Sequence, residues 1–99
     1  MNAALYNCLI EKQKLQSAIR EVSATLQQPK FWDADTYRVI PYNLVRKVDQ
    51  RIQEAKDLIE QFDKSKITHD EGMVMMYNAA LEMRVLKYLI EDECLVSHT

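Results

Sequence analysis

Glycine occurs once and proline twice in these 99 residues. So little glycine excludes the phosphate-cradling GxGxxG and GxxxxGK[ST] loops, and there is no GxSxG nucleophile elbow. Few breakers also favour helix, and no useful length of chain alternates apolar and polar residues as a half-buried strand would. There are only two cysteines, Cys8 and Cys94, far apart in the chain. That predicts free thiols in a reducing cytoplasm rather than a disulfide framework. The start, MNAALYNCLIEKQK, lacks the basic n-region and long apolar core of a secretory signal, so none is expected. A membrane span is not expected either. The most apolar run, Met73–Ile90, contains Asn78, Glu82, Arg84 and Lys87, and three charges are prohibitive at a bilayer centre.

What is present is ordinary for a globular chain: 47% hydrophobic and 28% charged residues, with a net charge of −2. The length fits one domain, residues 1–99, with a modest core. Charge is unevenly distributed. Residues 1–56 carry nine Lys/Arg and six Asp/Glu, whereas residues 57–99 carry four and nine. Such polarity suits self-association or docking to an oppositely patterned partner, and equally two differently solvated faces.

Three long helical patterns follow at about 100° per residue. The first spans residues 3–27, with Leu5, Cys8, Leu15, Ala18, Ile19, Val22 and Leu26 on one face and Lys12 interrupting the seam. Pro29 stops it. The second opens at Pro41, a good first-turn residue, and runs to residue 64. Its stripe is Leu44, Val48, Ile52, Ala55, Ile59 and Phe62, with Val45 and Leu58 at the margins. The third, residues 69–95, follows THDE, where Thr68 and Glu71 can form a capping box. Between the first two lies an aromatic connection, residues 28–40, holding Phe31, Trp32 and Tyr37. Its aromatics can close one end of the bundle as a lid or contact a partner directly. The expected fold is all-α, an antiparallel up-down-up three-helix bundle, completed by a second copy or a partner if a face is left over. In that topology Cys8 and Cys94 lie at opposite ends.

The third helix has an apolar face in excess. Fourteen of the 18 residues from Met73 to Ile90 are apolar, and eleven of them form two stripes nearly opposite each other. One is Val74, Tyr77, Leu81, Val85 and Tyr88. The other is Met75, Met76, Ala79, Met83, Leu86 and Ile90. A bundle needs only one of them. The better-shaped Val/Tyr/Leu stripe is expected to face the core. The Met-rich stripe, which can repack against varied partners, is expected to form the interface, with Phe31, Trp32 and Tyr37 as anchors. Glu91, Asp92 and Glu93 sit at the helix end where the dipole prefers cations, which predicts fraying.

Catalytic and metal chemistry find little footing. Carboxylate pairs such as Asp49 and Glu54 lie on solvated faces, and His69, His98, Cys8 and Cys94 do not make a four-ligand zinc pattern. No metal, cofactor or small-molecule substrate is expected, and no enzyme. The expected function is a non-catalytic, cytoplasmic interaction module: a small adaptor, chaperone or inhibitor that binds a larger protein through a helix face. Two alternatives stand beside it. One is a small nucleic-acid-associated regulator using Arg38, Arg46, Lys47 and Arg51, although these bases scatter around their helix and the acidic pI near 5.6 opposes it. The other is a structural homodimer with no separate ligand.

Overall fold

The computed structural model describes residues 3–28 and 40–96, with side chains described as far as Asp92. Among these residues there are three helices: α1 (Ala3–Leu26), α2 (Tyr42–Asp63) and α3 (His69–Val96). Each boundary has a local cause. Pro41 occupies the N-cap position of α2, and its carbonyl accepts from the amides of Leu44 and Val45. At the other end of α2 the Ser65 amide donates to the Phe62 carbonyl and the Lys66 amide to that of Gln61. These two bonds are the Schellman pattern, and Ser65 takes the left-handed conformation (φ 58°) that the pattern requires. Before α3, the Glu71 amide donates to Thr68 Oγ1 at 3.1 Å, which is the Thr68 half of the expected capping box.

Two contacts set the helix directions. The Cys8 thiol donates to the His69 carbonyl at 2.8 Å, so α1 and α3 begin at the same end and run parallel. Lys12 Nζ lies 2.7 Å from Asp63 Oδ1, which joins the start of α1 to the end of α2 and makes that pair antiparallel. The arrangement is the expected up-down-up bundle. Lys12, which broke the apolar seam in sequence, thus reaches an acid at the C-terminal end of α2, where a cation is also favoured by the helix dipole. Packing is uneven: α3 lies chiefly against α1, less against α2, and α1 meets α2 least. The result is a rod of 54 × 18 × 17 Å with a radius of gyration of 15.8 Å, longer than the roughly 13 Å of a compact chain of this length.

The core draws Cys8, Leu15, Ile19, Val22 and Leu26 from α1 and Val48, Ile52, Ala55, Leu58 and Phe62 from α2. Ile40, immediately before α2, is buried with them. Two details differ from the sequence expectation. Leu5, in the first turn of α1, is exposed, and Leu58 rather than Ile59 is the more buried of that neighbouring pair. Among the described residues the single buried polar side chain, Thr25, donates to the Glu21 carbonyl at 2.9 Å, so its hydroxyl is not orphaned.

Candidate interaction face

Helix α3 settles which of its two stripes is the inner one. Met76, Met83, Leu86 and Ile90 are between 0% and 2% exposed and complete the core with Ala80. Val74, Tyr77, Leu81, Val85 and Tyr88 are 41% to 65% exposed. Two apolar stripes exist as the sequence indicated, but their roles are the reverse of those expected. Of the described residues expected at a partner interface, only Met75 is exposed. Ala79 is half-buried against the core, and Met76, Met83, Leu86 and Ile90 lie inside it. Phe31, Trp32 and Tyr37, the expected anchors, lie outside the described residues, as does Arg38.

The reversal has a physical account. A buried tyrosine needs a partner for its hydroxyl, and the outer stripe carries two, Tyr77 and Tyr88. In water those hydroxyls stay hydrated at no loss. The inner stripe contains nothing that must hydrogen-bond. Its methionines, unbranched and flexible, fill the irregular space between long helices. Ala79 and Ala80 lie on the same side, where small side chains let helices approach closely. Gly72, in the first turn, extends this inner face: a Cβ there would stand 3.0 Å from Phe62 Cδ2 and 3.5 Å from Ile67 Cδ1. The sequence signal for the inner face was thus the absence of polar atoms, not the shape of the apolar ones.

The outer stripe is bordered by charge. On the α2 side, Glu82 Oε1 is 3.2 Å from Arg51 Nε, and Arg51 also reaches Glu54 Oε2 at 3.0 Å. The hydrogen bond to Glu54, with the charge of Glu82 beside it, raises the Arg51 pKa above its ordinary value. On the α1 side, Arg84 borders a groove lined by Ile10, Ser17 and Glu21. The stripe runs over Val74–Tyr88, roughly 21 Å at 1.5 Å per residue. Its five side chains leave on the order of 500 Å² in water, near the upper end of the largest patch on an ordinary monomer. Leu5, Tyr6 and Leu9 of α1 and Tyr42 of α2 are also exposed, but none belongs to a stripe of comparable length.

Other candidate chemistry is dispersed. Arg46 stacks over the Tyr42 ring, 5.9 Å from its centroid, and shares an outward depression on α2 with Asn43, Lys47 and Gln50. Arg51 is turned away from them toward Glu82. Burial pushes the Cys8 thiol pKa up, the Asp70 carboxylate adds to the effect, and a hydrogen bond from the Met73 amide opposes it. Cys8 is therefore held as a buried thiol, not poised as a nucleophile. Among the described residues no three His, Cys, Asp or Glu side chains are placed to hold a metal ion. No described helix is long and apolar enough to cross a membrane. Comparison with protein-family models, with characterised proteins and with solved structures finds no match, so the functional reading rests on the chain's own residues.

Proposed function

We propose that this chain is a non-catalytic helical interaction module, of the kind that serves as a small adaptor, chaperone or inhibitor, and that its working surface is the outer stripe of α3. The observation that carries the reading is the exposure of Val74, Tyr77, Leu81, Val85 and Tyr88 along one face of a helix whose opposite face is already core. Apolar side chains at helical spacing, including two aromatics, are the usual anchors of helix-face recognition. The fold supplies them on a rigid element, so little conformational freedom is lost on docking. The cytoplasm belongs to the same proposal, on the free thiol of Cys8 alone.

The test is a pair of substitutions, Leu81→Asp and Val85→Asp. Both should leave helicity and thermal stability of the free chain unchanged and abolish its association with a protein, whether its own copy or another. A chain that keeps every association with both aspartates in place would overturn the assignment of this face.

A further inference from the structure

We infer that the outer stripe of α3 is occupied by the α3 of a second copy, in parallel, with Asn78 facing Asn78 of the partner subunit. The inference rests on the interaction-module reading above and names its partner. The observation behind it is a seven-residue repeat. Val74, Leu81 and Tyr88 recur at intervals of seven, and Asn78 and Val85 occupy the intervening positions four residues after Val74 and Leu81. All five are exposed. At about 100° per residue this seam is centred almost opposite Met76, Met83 and Ile90, which face the core. In coiled-coil terms Val74, Leu81 and Tyr88 are at d, and Asn78 and Val85 at a. A β-branched residue at a with leucine at d favours two parallel strands, and one asparagine at a fixes register and oligomeric state.

Asn78 is the discriminating residue. Against an apolar groove on an unrelated protein, its amide would be desolvated without a partner. Across a two-fold axis parallel to the helices, the same amide meets its own copy, which supplies both a donor and an acceptor. The charged borders agree. With that axis, the Glu82 border of each copy lies along the Arg84 border of the other. In an antiparallel pair, Glu82 would face Glu82 and Arg84 would face Arg84. The ends of the seam are also marked: Glu71 and Asp92 continue the a positions at either end, and like charges there confine the contact to the stretch between them.

Area is consistent with this size of contact. The stripe alone, on the order of 500 Å² per copy, falls short of the roughly 800 Å² that each partner contributes to a standard interface. The bordering side chains Met75, Asn78, Glu82, Arg84 and Leu89 stand beside it and can supply the remainder. Because both helices are already folded, a seam shorter than a free-standing coiled coil suffices.

The experiment is sedimentation equilibrium of the full chain, followed by disulfide trapping. At about 100 µM, a generous concentration for an interface of standard size, the mass should be twice 11.6 kDa. Leu81→Asp should raise the dimer dissociation constant at least about 100-fold while the circular dichroism stays that of the native chain. In a Cys94→Ser background, with Cys8 buried, Val74→Cys and Val85→Cys should each form a self-disulfide under mild oxidation, since only a parallel pair brings both positions to their own copies. A monomer at that concentration, a dimer indifferent to Leu81→Asp, an unfolded Leu81→Asp chain, or trapping at only one or neither of the two positions would overturn the inference. A monomeric chain whose Leu81→Asp form loses a complex with a different protein would remove the second copy and leave the interaction-module reading standing. Indifference to both aspartates would remove both.

Discussion

Along the inner side of α3 run Met76, Met83, Leu86 and Ile90, and along the outer side Val74, Tyr77, Leu81, Val85 and Tyr88. By hydrophobicity alone the two rows are hard to rank, and each has the spacing of a core face. One is sealed between α1 and α2 and the other stands in water. The difference between them is carried by polar atoms. Two tyrosine hydroxyls, with Asn78 and Asp92 on the same side of the helix, make the outer row expensive to bury against other helices of the same chain. Met76, Met83, Leu86 and Ile90 carry no group that requires a hydrogen bond, and Lys87, the one charged residue on their side, is half-buried rather than sealed in. An apolar face is thus chosen for the core as much by what it does not carry as by the area it buries.

Two leucines on the same helix, five residues apart, offer the sharpest way to break this contrast. Leu86→Ala should cost about 2–4 kcal/mol, since it opens a cavity in a packed core. That is a large part of the roughly 5–15 kcal/mol that holds a domain of this size together. Leu81→Ala should change the stability of the dilute chain by no more than about 0.5 kcal/mol, because its side chain is already in water. Urea unfolding of both variants, at a concentration below any self-association, measures the pair. Equal losses would mean that the two faces are not distinct in solution.

The inner face should resist addition as well as removal. Gly72 sits on it, and the first atom of any side chain would meet the Phe62 ring at 3.0 Å. Gly72→Val should therefore cost about 1–3 kcal/mol through overpacking, even though glycine is the poorer helix former. Unchanged stability would show that Phe62 can yield and that the start of α3 is less tightly seated than the geometry implies.

Much of this architecture was legible from the residues alone, because helix ends and single stripes follow from local rules. Pro41, Thr68 and the breaks around them fixed the three helices to within one or two residues, and the stripe of α2 was read almost as it packs. The choice of face on α3 was not legible by the same means. Periodicity reports that a face is apolar, but not which of two such faces the neighbouring helices will cover. That choice depends on how α1 and α2 converge, and on whether each tyrosine hydroxyl can find a partner once buried. The placement of Lys12 opposite Asp63 was likewise a tertiary fact, invisible in a seam that simply read as interrupted.

The smallest predicted effect tests the explanation itself. Tyr77→Phe and Tyr88→Phe each remove only a hydroxyl. If those hydroxyls are hydrated in the folded and unfolded chain alike, their removal leaves the balance between the two states nearly untouched, and each variant should unfold within about 0.3 kcal/mol of the parent. A tyrosine buried with its hydroxyl bonded would instead lose about 1 kcal/mol or more. The double variant goes further. With both hydroxyls gone, the outer row loses its chief reason to stay in water, while Asn78 still lies beside it. Asn78 keeps that row partly polar, and the small side chains of Ala79 and Ala80 continue to favour close packing on the inner side, so hydrogen exchange and urea unfolding of the double variant should still show Met83 and Leu86 as core. Its tendency to self-associate should rise, because the row inferred to meet the second copy has become more apolar. A double variant in which Leu81→Ala becomes as costly as Leu86→Ala would show that the hydroxyls alone had decided the face.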